Sequence, residues 1–198
     1  RKAMAEVFSP INIKGMVLRN RFMRSATHDG TADGAGRATQ KSLSIYRALG
    51  EGGIALIVSG YAFVSAHGQS LPQQYGAHTD GMITGLKEMV QAVHSGGGKI
   101  ALQIVHAGAD SPYLTDKGIV CLAPSRVPGR GAVHREMTTD EIEAIIRDFG
   151  AAAARAREAG FDAVLVENFG DAPFFKDAVP AETVAAMAIA VRAVREAV

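Results

Sequence analysis

The sequence predicts an α/β fold: a parallel (β/α) half-barrel, four βα units of a TIM barrel behind an N-terminal β-hairpin. Three observations carry that expectation. Apolar, strand-like runs alternate with amphipathic helical stretches, which implies parallel pairing through right-handed crossovers. Short turns lead into the later strands, at Gly50 to Gly53, Gly96 to Gly98 and Ala159 to Phe161. Long segments follow three of the strands, at 27–38, 60–79 and 106–137. In a parallel barrel the loops after the strands open on one face and carry the functional groups. A complete barrel of eight units typically takes about 250 residues. The 198-residue chain is therefore expected to hold one truncated barrel domain over 1–198. Alternation alone leaves a doubly wound open sheet as the other arrangement. No G-x-G-x-x-G follows the first strand, which weighs against a dinucleotide-binding fold.

Taken in order, Val7 to Arg19 reads as a hairpin turning at Lys14-Gly15, with Ile11, Ile13, Val17 and Leu18 as its apolar residues. The strands of the main sheet are expected at Arg21–Ala26, Ile54–Ser59, Lys99–Val105 and Asp162–Val166. The run IALIVS at 54–59 is apolar throughout, as suits a strand covered on both faces. A helix is expected at about 39–49. A second has Leu86, Met89, Val90 and Val93 at helical spacing, and a third has Ile142, Ile145, Ile146 and Phe149. The third opens on Thr138-x-x-Glu141, a capping box in which each side chain satisfies the other's backbone N–H. The last helix follows Pro180 and sets Val184, Met187, Val191, Val194 and Val198 on one stripe. Gly96-Gly97-Gly98 precedes a strand and reads as a helix stop.

Composition narrows the function classes. A net charge of +1 gives no electrostatic case for nucleic acid or an acidic membrane surface. No apolar run reaches the roughly 18 residues of a spanning helix, and residues 1–7 lack the apolar core of a signal peptide. With Cys121 as the only cysteine, no intrachain disulfide forms, and a cytoplasmic location is expected. His28, His67, His78, His94, His106 and His134 show no metal-ligand spacing. Glu167, Asp171 and Asp177 read as loop carboxylates rather than a cation site, and no metal is expected. Hydrolase chemistry has no G-x-S-x-G to stand on.

Ordered motifs then carry a resemblance. Phe8-Ser9-Pro10, Leu18-Arg19-Asn20-Arg21-Phe22 and Arg24-Ser25-Ala26-Thr27 open it. Glu51-Gly52-Gly53, Ser59-Gly60-Tyr61-Ala62, Gly97-Gly98-Lys99-Ile100 and Gln103-Ile104-Val105-His106-Ala107-Gly108 continue it. Ala123-Pro124-Ser125, Arg135-Glu136-Met137-Thr138 and Ala159-Gly160-Phe161-Asp162 extend it. Residues 7–163 thus resemble the N-terminal half of the old yellow enzyme (NADH:flavin oxidoreductase) family. The resemblance implies a flavoprotein oxidoreductase that takes hydride from NADH or NADPH through FMN to an activated alkene, a small-molecule substrate. By position it implies Ser25, Ala26 and Thr27 beside the flavin, Gly60 where the backbone nears the ring, and Gln103 bonding the ring's pyrimidine edge. Each also has a plainer reading as a strand-end or turn residue.

The resemblance fails in the fourth unit. Glu167 and Gly170 stand where the family has its substrate-binding His pair, and Ala172 falls near the place of its Tyr proton donor. A carboxylate there repels a developing enolate instead of stabilising it, so no catalytic residue is assigned. Ala109 stands where the family usually has Arg, and the family's phosphate-holding loops after strands seven and eight have no counterpart in the four units. Residues 164–198 are instead similar to the photosystem I biogenesis (BtpA-like) family, which points to a chimera. The competing expectation is a non-catalytic (β/α)4 half-barrel that self-associates as a homo-oligomer, structural rather than enzymatic.

Overall fold

The computed structural model describes residues 6–126, 133–167 and 181–197. The hairpin forms as its sequence dictates. Strand β1 (Ile11–Ile13) pairs antiparallel with β2 (Met16–Leu18) across Lys14 and Gly15, whose φ values are +49° and +97°. Two consecutive positive φ values match the right-handed twist of the strands, and Gly at the second position adopts one without strain.

The main sheet is parallel throughout. Strand β3 (Met23–Arg24) pairs with β4 (Leu56–Val58), and β4 pairs with the first residues of β7 (Lys99–Val105). The last two residues of β7 pair with β5 (Ala62–Phe63), which pairs with β6 (Tyr75–Gly76). Strand β10 (Ala163–Val166) runs beside the middle of β7. The expected third strand thus forms at its full length, and the other three form as shorter cores of the expected spans. Strands β5 and β6 arise inside the expected loop 60–79. The loop 106–137 contains helix α3 (Pro112–Asp116) and a small parallel pair, β8 (Cys121–Ala123) with β9 (His134–Glu136).

The alternation of strand residues divides the sheet into two cores. On the outer face Ile57, Ile100, Leu102 and Ile104 meet helices α1 (Gln40–Glu51), α2 (Ile83–His94) and α4 (Thr139–Ala159). On the inner face Leu56, Val58 and Ala101 pack with Leu18 of the hairpin, which closes the end of the sheet where the strands begin. Helix α1 is capped by Thr39 and Ser42 acting on each other's backbone, a capping box with Ser in the usual Glu position. The stripe Leu86, Met89, Val90 and Val93 is fully buried on α2. The Thr138–Glu141 capping box is present, and Arg135 clamps the Glu141 carboxylate at 2.8 and 2.5 Å. Those contacts, the Arg135 bonds first, hold the Glu141 carboxyl down at about 2.

The stripe expected on α4 is only partly realised. Phe149 is buried and Ile145 packs on the core, but Ile142 is exposed, and the buried face continues instead through Ala152, Ala153, Ala156 and Ala159. Small side chains suit the close approach of α5 (Ala181–Ala197), where a methyl at Gly150 would lie 3.4 Å from the Ala193 carbonyl oxygen. On α5 Val194 is buried and Val191 is exposed, while the side chains of Val184 and Val198 lie outside the described residues.

The end of the sheet where strands begin is held by polar contacts. Asp162 accepts from Lys99 Nζ at 2.7 Å, His94 Nε2 at 2.7 Å and the Ile100 N–H at 2.9 Å. Arg19 donates to the carbonyls of Gly50, Gly96 and Ile54. Helix α2 ends at His94 with Ser95 as its cap, just before the expected glycine stop, where Gly97 takes φ +75° and Gly96 has a separate duty. A methyl there would press on the Gly50 carbonyl carbon and lie 2.5 Å from Glu51 N, so Gly lets the ends of α1 and α2 touch. Among the described residues no helix is long and apolar enough to cross a membrane.

Candidate functional site

At the opposite end of the inner face lies an open cleft of about 440 Å³. Its walls follow from strand alternation. Ala101 and Ala163 face inward and are register partners; two residues further, Gln103 and Leu165 are again partners, and both line the cleft. Glu167 continues that alternation past β10, its N–H bonded to the Ile104 carbonyl at 3.2 Å. Met23, Ser25, Ala26 and His28 come from β3 and the segment after it, Val58 from β4, and Tyr61 from just beyond.

Of the residues singled out in the sequence, Ser25, Ala26 and Gln103 line this cleft together. Thr27 and Gly60 sit beside it and do not line it. Thr27 Oγ1 donates to the Ser25 carbonyl at 3.3 Å. Gly60 is enclosed by protein: a Cβ would meet the Thr27 carbonyl oxygen at 2.9 Å and the Tyr75 ring at 3.2 Å. The need for glycine at 60 therefore already follows from the chain's own packing.

Gln103 is 5% exposed, and its backbone N–H donates to Ser59 Oγ at 3.1 Å. Ser59 Oγ in turn donates to the Gly60 carbonyl at 2.9 Å, which locks the strand ends of β4 and β7 together. Among the described residues nothing bonds the Gln103 side-chain amide. The amide opens on the cleft and offers a donor and an acceptor to whatever enters it.

Tyr61 and Glu167 form the charged and titratable side of the cleft with His28, whose ring centroid lies 5.4 Å from that of Tyr61. Burial pushes the Glu167 carboxyl above its ordinary range. Burial also raises the Tyr61 hydroxyl, opposed by its bond with Ser70 and reinforced by the Glu167 charge. Among the described residues no Lys or Arg lines the cleft.

Behind the cleft a buried polar network fixes the segment after β3. Asp29 Oδ2 accepts from Tyr75 OH at 3.1 Å and Tyr46 OH at 3.4 Å, and Asp29 Oδ1 accepts from Thr31 Oγ1 at 2.7 Å. Tyr46 OH accepts the Gly60 N–H at 2.8 Å. Burial, then the neighbouring Tyr75 and Asp29, drives the Tyr46 hydroxyl far up, and burial pushes Tyr75 up to about 12, so both stay protonated donors. The network was not visible in the sequence, because its members come from a loop, a helix and a strand that show no common spacing.

His106, expected near the site, does not line the cleft. Its Nδ1 accepts the Gly108 N–H at 3.1 Å, and its buried Nε2 has no partner among the described residues. Burial, with His67 adding to it, holds the ring down at about 4, hence neutral. Among the described residues no group of three or more His, Cys, Asp or Glu could hold a metal ion; Asp171 and Asp177 lie outside them.

Comparison with known proteins places this geometry. The sequence model of the NADH:flavin oxidoreductase / NADH oxidase family matches residues 6–169, and the chain belongs to that family. It is 35% identical over 161 residues to an NADH oxidase of Thermoanaerobacter brockii, covering 80% of this chain and 25% of that protein. It is 36% identical over 167 residues to an NADPH dehydrogenase of Geobacillus sp. (strain WCH70), covering 82% of this chain and 47% of the relative. The chain thus spans half or less of the length of these relatives. Among solved structures, morphinone reductase in complex with tetrahydroNAD matches with a TM-score of 0.81 at 25% identity, covering 96% of this chain and 60% of that one. The old yellow enzyme from Pichia sp. AKU4542 matches in fold with a TM-score of 0.84 at 24% identity, covering 98% and 57%. The family match runs through β10 to residue 169, beyond the boundary at 163 expected from the motifs.

Proposed function

We propose that this chain forms the flavin-ring half of an FMN-dependent NAD(P)H oxidoreductase site acting on a small molecule. The observation that carries the reading is the Gln103 amide, buried at the mouth of the inner face with its hydrogen-bonding groups turned to the same cleft as Ser25 and Ala26. The fit is chemical: an amide offers the donor and acceptor that the pyrimidine edge of a flavin requires. FMN, when bound, supplies hydride transfer between a nicotinamide and an acceptor. The chain's own residues have simpler tasks. Gln103 would orient the ring, Ser25 and Ala26 would flank it, and Thr27 with Gly60 would shape the backbone behind it. Met23, Val58 and Leu165 would keep water from its face. Visible absorption after incubation with FMN and removal of free flavin tests this: a retained flavin band supports it, and a colourless protein refutes it.

A second reading rests on the exposed inner face. Met23 and Leu165, which line the cleft, are 59% and 43% exposed. An apolar sheet face of this kind favours association, here a homo-oligomer of half-barrels with a structural role. Light scattering distinguishes it, since a stable monomer removes the case. The expected similarity of residues 164–198 to the BtpA-like family, read as a chimeric join, would put that join near β10. A cytoplasmic location accords with the single free Cys121.

A further inference from the structure

We propose that the cleft, beside the place given to the flavin ring, prefers ligands presenting a cation or a hydrogen-bond donor to Glu167 over anionic ones of the same shape. The inference rests on the cleft being the ligand site proposed above, and it names the class of molecule that site takes.

Glu167 extends the inward alternation of β10, one position beyond Leu165 on the same face, so its carboxylate belongs to the cleft wall and not to the outer surface. The groups facing it come from three other elements: His28 after β3, Tyr61 after β4 and Gln103 on β7. None is a fixed cation, and among the described residues no Lys or Arg lines the cleft. Among the described residues no ion pair and no side-chain donor engages the Glu167 carboxylate. A half-buried carboxylate without a counter-charge has lost hydration and gained nothing in return. A ligand that brings an amidinium, an amine or an amide N–H to Glu167 restores the balance. A carboxylate or phenolate ligand would meet a like charge in a partly dry cleft.

The closing experiment titrates the full chain, loaded with FMN as far as it accepts it, with benzamidine, benzamide and benzoate at pH 7.5, followed by calorimetry. These three probes share size and shape and differ in charge. Benzamidine is expected to bind about tenfold or more tighter than benzoate, the lower range for a hydrogen bond to a charged group, with benzamide between them. Glu167→Gln, nearly isosteric, should collapse that order to within about twofold. Equal binding of the three probes, tighter binding of benzoate, no binding of any, or an order unchanged in Glu167→Gln would each overturn the proposal. The ranking in the unsubstituted chain stands even if the variant fails to fold. The flavin reading is scored separately by the visible band: a colourless protein that still prefers benzamidine removes the flavin and keeps the ligand class.

Discussion

Replacing Asp162 by Asn tests the physical basis of the fold at the end of the sheet where the strands begin. Asp162 is only 12% exposed in its side chain and accepts three hydrogen bonds, two from side chains and one from the Ile100 N–H. These join the end of α2, the start of β7 and the turn before β10. An Asn keeps one acceptor for Ile100 N–H and loses the charge toward Lys99 and His94. Hydrogen bonds to charged groups contribute about 1.5–3 kcal/mol each, but Lys99 and His94 are 41% and 36% exposed, which reduces their share. A net loss of about 2 kcal/mol is expected, with Asp162→Ala losing about 3 because the buried N–H is then orphaned. Burial alone would raise the carboxyl, but the bonds from Lys99, His94 and Ile100 outweigh it and leave its pKa lowered. The sign follows: a lowered folded pKa means the unfolded chain binds the proton first. The stabilisation is present above the ordinary Asp value near 3.9 and fades as pH falls below it. Urea unfolding at pH 7 and at pH 3.5 measures both effects. An unchanged midpoint at pH 7, or the same loss at both pH values, would refute the reasoning.

Three further outcomes follow from named contacts. Gly96→Ala forces a methyl against the Gly50 carbonyl and Glu51 N, and should lower stability by about 2–3 kcal/mol in thermal or urea unfolding. Tyr46→Phe strands the buried Gly60 N–H and weakens the hold on Asp29, for a loss of about 1–3 kcal/mol in urea unfolding. If the inner face drives self-association, Met23→Asp should shift the mass seen by light scattering toward monomer, while far-ultraviolet circular dichroism stays unchanged.

Much of the fold was legible because local signals agreed with the final packing. The Lys14-Gly15 turn, the α2 stripe and the Thr138–Glu141 box are local chemistry, and each formed where its residues required. Strands β5 and β6 were not legible: two residues each, they owe their form to pairing, β5 with β7 and β6 with β5, not to their own pattern. The Ser42 half of the α1 capping box escaped because Ser replaces the usual Glu or Gln. The cleft was half legible. In β7 every residue but Lys99 is buried, so burial period was silent, and Gln103 was singled out through the motif Gln103-Ile104-Val105-His106-Ala107-Gly108 and its resemblance. Met23, His28, Tyr61 and Leu165 were not singled out as cleft residues. The alternation Ala163, Leu165, Glu167 was the available signal for the wall of β10, and it becomes meaningful only once the strand is known to have an open inner side.

The central claim is tested most directly by a fluorescence titration of FMN with the intact chain and with Gln103→Ala. Saturable quenching by the unsubstituted chain, weakened about tenfold in the variant with its fold retained, is the predicted result. Quenching that does not saturate, or that is identical in Gln103→Ala, would contradict the assignment of this cleft to the flavin ring.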